Sequence, residues 1–379
     1  ESAPEAARMV DRLGPRTWAE RTGSVPVAAF TVTKLAWLAR HEPDIARAVR
    51  SVLLPHDYLT YRLTGRRVTD RGDASGTGYF DPASGTWLVE LLDDVVGPAD
   101  WAERLPTVLG PTEAAGPPCT AGRADLDVGD VDLVGPGTGD NMAAALGIGL
   151  GPGQACVSIG TSGTVYARSA GAVVDPTGTV AGFADATGGF LPLACTLNAT
   201  RVTTAVAGLL GVTQGDFDEL ALAAPAGAGG LTLLPYFDGE RTPDRPTATG
   251  TLAGLRSGVS RPDLARAAVE GVVCGLLDAL DALGGLVAVG DGPLLLVGGG
   301  ARSPAFRRVL ADLAGRPVLI PGVAEAVATG ACVQAAAVLL GRPLDEVQAA
   351  WGLGGGDLVD PDPEVDVAGI RQAYASVRG

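Results

Sequence analysis

Residues 294–320 read LLLVGGGARSPAFRRVLADLAGRPVLI and contain the clearest structural signal in the chain. The apolar run Leu294–Val297 predicts a buried strand, and the three glycines after it predict a tight turn. Ser303 is a favourable N-cap followed by proline, so a helix is predicted from there to Gly315. Val318 begins the next buried strand. A strand, a turn, a helix and a strand in this order predict an α/β fold.

The same alternation extends through the second half of the chain, whereas the first half reads mostly as helices and loops. Few strands are predicted before residue 131, so the helices there would lack a sheet of their own to cover. We predict strands at residues 131–134, 155–159, 163–167 and 231–236, and helices at 33–41, 55–63, 87–95, 200–210, 263–283 and 325–340.

Composition and charge exclude several classes of protein. The chain has 379 residues, of which 46% are hydrophobic and 19% charged, so two folded domains are expected and a disordered chain is not. The net charge of −15 argues against a nucleic-acid partner. The first residues are polar, and Glu270 and Asp278 interrupt the most apolar stretch. We therefore expect a cytoplasmic protein that does not cross a membrane.

Cysteine, histidine and lysine are scarce. The five cysteines form no CxxC pair and lie mostly in apolar runs, which predicts small buried residues in a reducing compartment. The only histidines are His41 and His56, for which surface or packing roles are expected, so a zinc site built on histidine is nearly excluded. Lys34, the single lysine, follows Thr33 rather than glycine, which rules out a Walker phosphate loop.

The segment GPGTGDNMAA, residues 135–144, is the first of three motifs that could carry chemistry. A glycine-rich turn follows the strand predicted at residues 131–134, and Asp140 and Asn141 open an alanine-rich helix. Ligands of α/β folds bind at the carboxyl ends of strands. Asp140 could therefore accept a proton from a hydroxyl group of a ligand, and Asn141 could hydrogen-bond a second hydroxyl group. Aspartate is also a preferred N-cap, and the local sequence leaves that structural role open.

Two further turns are rich in glycine. In SIGTSGT, residues 158–164, glycines free the backbone N–H groups of a hairpin turn and two hydroxyls stand beside them, which suits a phosphate. Residues 298–303 lead from a strand into a helix, whose N-terminus favours anions. An ordinary hairpin turn and an ordinary strand-to-helix turn would have the same composition, and one glycine-rich turn alone is weak evidence.

Several stretches taken together resemble the FGGY family of carbohydrate kinases, over residues 30–341. FTVTKLAWL at residues 30–38 is similar to the first signature of that family, and residues 250–270, which begin GTLAGL, are similar to the second. The resemblance is greatest to the xylulokinases of the family, through LPHDYL at 54–59, RGDASG at 71–76 and PYFDGERTP at 235–243.

The resemblance implies a fold, a reaction and a set of site residues. The implied fold is the α/β, two-domain, actin-like ATPase (ribonuclease H-like) fold, with a sugar-binding domain at residues 1–150 and a nucleotide-binding domain at 151–379. The implied reaction transfers the γ-phosphate of ATP, with Mg²⁺, to the terminal hydroxyl of a ketopentose, D-xylulose first. Asp140 matches the general base and Asn141 a neighbour of the sugar, and no metal ligand is assigned to the chain. The turn that holds the ATP phosphates is matched by Gly160, Thr161, Ser162 and Gly163, and the adenosine-binding turn by Gly299, Gly300, Ala301 and Ser303.

Two motifs of the family are not found in this sequence. They are an N-terminal phosphate loop of the form Gly-x-Asp-x-Gly-Thr-Ser and a Gln-Met-His-Gly motif that holds the sugar. We therefore expect that the sequence begins inside the first domain, that this domain is incomplete and that the chain alone is poorly active.

Three alternatives and two further expectations follow. The substrate could be ribulose, gluconate, glycerol or a related polyol. The chain could be a binding-only relative, or an ATP hydrolase of the actin-like superfamily. The resemblance also makes a homodimer plausible, and it implies closure of the two domains about a hinge near residues 147–153.

Overall fold

The computed structural model describes residues 2–127 and 129–379. The Cα positions group these residues into two compact units. The first unit comprises residues 2–127, 129–152, 168–192 and 323–354, and the second comprises residues 153–167, 193–322 and 355–379. Two chain segments beyond residue 151 thus belong to the first unit. The division at residues 150 and 151 stays a prediction about domains of function.

The helices and strands have the following bounds. The helices are α1 (Ala3–Leu13), α2 (Pro15–Thr22), α3 (Thr31–His41), α4 (Pro43–Ala48), α5 (Pro55–Thr64), α6 (Arg71–Ser75), α7 (Val89–Val95), α8 (Trp101–Arg104), α9 (Thr120–Leu126), α10 (Asp140–Gly147), α11 (Thr200–Leu210), α12 (Gln214–Ala223), α13 (Arg261–Gly284), α14 (Pro304–Ala314), α15 (Ala326–Leu340), α16 (Leu344–Ala350) and α17 (Val367–Arg378). The strands are β1 (Val68–Thr69), β2 (Phe80–Asp81), β3 (Thr86–Trp87), β4 (Thr107–Val108), β5 (Ala155–Ile159), β6 (Gly163–Ala167), β7 (Ala181–Ala184), β8 (Phe190–Thr196), β9 (Thr232–Leu234), β10 (Thr251–Ala253), β11 (Leu294–Val297), β12 (Val318–Pro321) and β13 (Gly356–Val359).

A mixed sheet forms the centre of the second unit, in the order β13-β12-β11-β5-β6-β8. The strand β11 runs parallel to both β5 and β12, and α14 connects β11 to β12. The strands β5 and β6 form the predicted hairpin. Because Leu294, Leu295 and Leu296 are at most 1% exposed, β11 is a central strand covered on both faces, as its uninterrupted apolar run indicated.

Helices α13 and α14 pack in this unit and begin as the sequence predicts. Ser260 caps α13 by accepting a hydrogen bond from Asp263 N, and Asp263 accepts one in return from Ser260 N. This is a capping box. Ser303 caps α14 in the same way, through Phe306 N, and Gly315 ends that helix with a φ of 62°. The predicted α/β architecture of the second half is therefore confirmed.

The first unit is rich in helices. Up to residue 152, its described part contains only two two-stranded sheets, the parallel pair β1–β4 and the hairpin β2–β3, as the scarcity of strand patterns predicted. A core cluster built on Trp18, Tyr79, Leu91 and Leu92, each at most 1% exposed, holds α2 and α7 together with the β2–β3 hairpin. The helix α5 ends at Gly65, which has a φ of 75°.

Two expectations are wrong. Residues 131–134 do not form a strand, since Val134 makes a single bridge to Gly116 and residues 131–133 are irregular. Polar Asp132 and the short length of the run explain the difference, because a strand needs a partner along its whole length.

The cysteines are also less buried than expected. Cys156 and Cys274 are buried, and burial raises the pKa of both thiols to about 12, but Cys332 is exposed on α15.

Within the described residues, no single helix has the length and apolar character needed to cross a membrane. One bent pair, Ala326–Leu340 with Leu344–Ala350 at 114°, meets these criteria by length and composition alone.

Candidate active site

The helix α10 places Asp140 and Asn141 at its first turn. Gly139 occupies the N-cap position and has no side chain to cap the helix, so Asp140 is the first helical residue rather than the N-cap. Asp140 is exposed, and its Oδ1 accepts hydrogen bonds from Asn141 N at 2.7 Å and Asn141 Nδ2 at 2.8 Å. The carboxylate therefore stands at the positive end of the helix dipole. An exposed carboxylate oriented by its neighbour can accept a proton from a bound hydroxyl.

The position of α10 is fixed by close packing against α15. A Cβ added to Gly147 of α10 would overlap Ala326 O, and one added to Gly330 of α15 would overlap Ala143 O. Glycine at these two positions lets the helix backbones touch. Gln348 Nε2 also donates to Leu146 O at 2.6 Å, near the end of α10. These contacts hold the body of the helix, and with it the helix end that carries Asp140.

The turn before Asp140 rests on side chains from α5 and α6. A Cβ on Gly137, whose φ is +80°, would lie 3.0 Å from His56 Nδ1. A Cβ on Gly139 would lie 2.6 Å from Asp73 Oδ1. His56 and Asp73 therefore fill the space in which side chains of the turn would stand. Neither the spacing nor the hydrophobic period of the sequence links these two residues to residues 137–139, and the sequence predicts a surface or packing role for His56.

His56 is the positive centre of an acidic cluster. Its Nε2 lies 3.0 Å from Asp70 Oδ1 and 2.7 Å from Asp73 Oδ2, and its Nδ1 lies 3.4 Å from Asp57 Oδ1. Burial alone lowers the pKa of His56, but the hydrogen bonds and charges of Asp70 and Asp73 outweigh it and raise the pKa to about 10. Burial also raises the pKa of Asp57 to about 6, against the opposing effect of the His56 charge.

Asp70 is the most deeply held member of the cluster. It is 5% exposed, it caps α6 by accepting from Gly72 N at 2.7 Å, and burial raises its pKa. The cluster of His56, Asp70 and Asp73 is also the one group of potential metal ligands found among residues 2–127 and 129–379. Both carboxylates lie at hydrogen-bond distance from the same imidazole nitrogen, and the raised pKa of His56 favours the charged ring that pairs with them. We therefore treat the cluster as a support for the turn at residues 137–139.

The hairpin turn between β5 and β6 contains Gly160, Thr161, Ser162 and Gly163. Two carbonyl groups of the turn accept hydrogen bonds from the start of α11 and the residue before it. Gly160 O accepts from Thr200 N at 3.0 Å and from Thr200 Oγ1 at 2.9 Å, and Thr161 O accepts from Ala199 N at 3.2 Å. The side chains of Thr161 and Ser162 are exposed. A Cβ on Gly163 would lie 2.5 Å from Leu276 Cδ2 and 2.6 Å from Thr196 Oγ1, so a larger residue here would displace these side chains. The turn presents two hydroxyls on a fixed backbone, which suits a phosphate group.

The turn from β11 to α14 forms a short 3₁₀ helix, Gly299–Arg302. A Cβ on Gly299 would meet no atom within 4 Å, so this residue leaves open space above the backbone. Gly300 and Ala301 are buried. Ser303 is also buried, and its hydroxyl donates to Asp218 Oδ1 at 2.8 Å as well as capping α14. The hydroxyl of Ser303 therefore supports the turn, and the open surface lies over Gly299.

The structure brings these two glycine turns together at one edge of the sheet. Val297 pairs with Ser158 in the parallel ladder of β11 and β5, so both strands end at the same level. A Cβ on Gly298 would lie 2.6 Å from Ile159 O, which shows how closely the turns pack. Ligands of α/β folds bind at this edge. Asp140 and Asn141 lie in the first unit, and the two turns lie in the second.

Both halves of the chain are similar to known proteins. Residues 1–147 match the model of the N-terminal domain of the FGGY family of carbohydrate kinases, and residues 155–339 match that of its C-terminal domain. A xylulose kinase of Streptomyces coelicolor is 49% identical over 361 residues, which cover 95% of this chain and 72% of that protein. A xylulose kinase of Haemophilus influenzae is 34% identical over 338 residues, which cover 88% of this chain and 68% of that protein.

A solved structure extends the similarity to the fold. The crystal structure of a xylulose kinase from Bifidobacterium adolescentis matches the whole of this chain and 81% of that one, with a TM-score of 0.86 and 39% identity. The two-domain, actin-like α/β fold and a carbohydrate kinase activity that uses ATP are therefore confirmed. The chain belongs to the FGGY family of carbohydrate kinases.

Proposed function

We propose that this protein phosphorylates D-xylulose with ATP, at the terminal hydroxyl, to give D-xylulose 5-phosphate and ADP. The observation that carries the proposal is the 49% identity to a xylulose kinase over 95% of this chain. The exposed carboxylate of Asp140 and the two glycine turns supply the groups that such a reaction needs. Phosphoryl transfer asks a protein mainly to position its substrates and to balance charge.

In this proposal Asp140 is the general base. Its carboxylate accepts the proton of the terminal hydroxyl while that oxygen attacks the γ-phosphorus, and the bond from the γ-phosphorus to the bridging oxygen breaks to release ADP. Asn141 orients the carboxylate through its side-chain amide, which donates to Asp140 Oδ1 at 2.8 Å. Asn141 lies beside the sugar and hydrogen-bonds a second hydroxyl when the sugar is bound.

The second unit binds MgATP, which is the substrate form of the nucleotide. We assign the phosphates to the turn of Gly160, Thr161, Ser162 and Gly163, where two exposed hydroxyls stand on a fixed backbone. The adenosine we assign to the turn of Gly299, Gly300, Ala301 and Ser303, which is open above Gly299. Mg²⁺ would enter as part of the MgATP substrate and would balance the charge of its phosphates. The cytoplasmic location, the homodimer and the lack of a nucleic-acid partner stay predictions.

The proposal is tested by measuring ADP release by the protein with ATP, Mg²⁺ and one sugar at a time. D-xylulose, ribulose, gluconate and glycerol form the panel, with a blank that contains no sugar. The proposal expects release that depends on D-xylulose and is at least about tenfold faster than with any other compound, a preference of ~1.4 kcal/mol in transition-state binding. Release without sugar would indicate an ATP hydrolase, and release with another polyol would replace D-xylulose as the substrate.

A further inference from the structure

Glu240 is a buried carboxylate outside the groups that the proposed reaction uses. It is 2% exposed and lies in the segment between β9 and β10. Its Oε1 accepts from Leu197 N at 2.5 Å and Arg241 N at 2.8 Å, and its Oε2 accepts from Asn198 Nδ2 at 2.9 Å. Such charge-assisted bonds are stronger than neutral ones. Among residues 2–127 and 129–379, no salt bridge of Glu240 accompanies these three hydrogen bonds. We therefore ask which backbone geometry the carboxylate imposes.

The geometry is imposed on residues 197–200, which follow β8. Asn198 also donates to Gly239 O at 2.6 Å, so the same segment is held at two points. The next two residues reach the hairpin turn that we assign to the phosphates. Ala199 N donates to Thr161 O at 3.2 Å, and Thr200 donates to Gly160 O through both its N–H and its hydroxyl. The carboxylate of Glu240 is therefore linked to the phosphate turn by four consecutive residues.

We infer that Glu240 is a positioning residue that fixes the ATP phosphate turn through residues 197–200. The inference rests on the proposed function only in assigning that turn to the nucleotide. The hydrogen bonds of the Glu240 carboxylate go to Leu197, Asn198 and Arg241 rather than to the turn, so its effect on the turn is indirect. All of these residues lie in the second unit. Loss of the Glu240 carboxylate should therefore weaken nucleotide binding and leave sugar binding in the first unit unchanged.

The variant Glu240→Gln keeps the volume of the side chain but replaces one acceptor oxygen by an NH₂ group. That group would face Asn198 Nδ2 or Leu197 N, which are themselves donors. At least one hydrogen bond between residue 240 and residues 197–198 would therefore be lost. We expect the Kd for ADP and the KM for ATP to rise about tenfold, the factor that corresponds to ~1.4 kcal/mol. The KM for D-xylulose should stay within about twofold of that of the unchanged protein, because its site lies elsewhere.

The matched control is Asp238→Asn, two residues away. The Asp238 side chain is 67% exposed and pairs with Arg201 at 3.1 Å, so its loss should leave nucleotide binding unchanged. If Glu240→Gln does not fold, Glu240→Asp retains the charge at a shorter reach and should weaken nucleotide binding to a smaller extent. Thermal melting of each variant separates a loss of folded protein from a loss of binding.

A double-mutant cycle distinguishes this role from general destabilisation. Thr200→Val removes the hydroxyl bond to Gly160 O and should by itself weaken ADP binding. If Glu240 acts through Thr200, the double variant binds ADP no more weakly than Glu240→Gln alone. Additive losses, equal losses of nucleotide and sugar binding, or unchanged ADP binding in Glu240→Gln would each overturn the inference. ADP binding is measured without sugar, so failure to phosphorylate D-xylulose would refute the proposed function and leave this test intact.

Discussion

Replacing His56 by glutamine should remove the positive charge that holds the cluster beneath the Asp140 turn. In the folded protein Asp70 and Asp73 lie 3.0 and 2.7 Å from His56 Nε2, and Asp70 is only 5% exposed. Breaking a buried ion pair by removing one partner costs about 3–5 kcal/mol. The side chains of His56 and Asp73 are 24% and 29% exposed, so we expect a loss near the lower limit, about 3 kcal/mol.

The loss should depend on pH with a defined sign. The pKa of His56 is about 10 in the folded protein and 6.5 when unperturbed, so the folded state binds more protons between these values. The stabilisation by His56 is therefore complete below pH 6.5 and disappears as the pH rises through 10. Asp57, Asp70 and Asp73 all face the ring, at 3.4, 3.0 and 2.7 Å from its nitrogens. Denaturant unfolding of both proteins at several pH values measures the difference.

The catalytic consequence follows from the contact with the turn. His56 Nδ1 and Asp73 Oδ1 fill the space beside Gly137 and Gly139, so a collapse of the cluster should displace Asp140. A displacement of about 1 Å can lower a rate about 100-fold. We expect kcat to fall about 10–100-fold and the KM for ATP to stay unchanged, since the nucleotide turns lie in the other unit.

Two further variants complete the test. His56→Lys restores a cation and should recover part of both stability and kcat. His41→Gln is the matched control, because the side chain of His41 is 49% exposed and its Nε2 lies 4.0 Å from Glu5 Oε1. The reasoning is refuted if His56→Gln is as stable as the unchanged protein at pH 7, or if the two proteins lose stability in parallel between pH 6.5 and 10.

Three smaller predictions concern other parts of the site. Gly330→Ala should destabilise the protein by at least about 1–3 kcal/mol, because its Cβ would overlap Ala143 O and force α15 away from α10, and a thermal melt measures the loss. An unchanged melt would show that the helices separate freely. Ser303→Ala removes the N-cap of α14 and the partner of Asp218, so stability should fall by about 1–2 kcal/mol in denaturant unfolding while kcat stays within about twofold. A large rise in the KM for ATP at unchanged stability would place Ser303 in direct contact with the nucleotide. Thr161→Val with Ser162→Ala should raise the KM for ATP about tenfold in steady-state kinetics, through the loss of two exposed hydroxyl donors. An unchanged KM would mean that the backbone of the turn alone holds the phosphates.

Much of the second unit could be predicted because its apolar runs, helix caps and helix-ending glycines each indicate the element that forms. Residues 294–297 are a continuous apolar run and form β11, and Ser303, Pro304 and Gly315 bound α14 as their chemistry requires. The helix α11 has the predicted limits, residues 200 and 210. In each case propensity, periodicity and capping indicate the same element.

Other elements carry weak or contradictory signals. The strand β8 contains Pro192, which cannot donate to a ladder and hides the strand pattern. The strand β13 is mostly exposed and begins at Gly356, so it shows no apolar alternation. Residues 131–134 differ in the opposite direction, because their apolar pattern predicts a strand but the segment pairs with no strand along its length.

The contact between the turn at residues 137–139 and the side chains beneath it could not be predicted from the sequence. His56 lies 14 residues from Asp70 and 17 from Asp73, and neither helical nor strand periodicity links such positions. They meet because α5 and α6 both pack beneath the turn at residues 137–139, a tertiary contact. Glu240 and residues 197–200 are likewise joined only by the fold. Both stretches that contain these side chains, LPHDYL and PYFDGERTP, were singled out by resemblance, but the resemblance assigned no role to His56 or Glu240.

The most direct test of the proposed reaction is ³¹P NMR of the products formed from ATP and D-xylulose, by the unchanged protein and by Asp140→Asn. The proposal predicts one new phosphomonoester signal, on the terminal carbon of the sugar, that grows in step with ADP. With Asp140→Asn the signal should grow about 100–10,000-fold more slowly, the factor expected for loss of a general base, while ADP still binds. A phosphomonoester formed at the same rate by Asp140→Asn would contradict the assignment of Asp140 as the base.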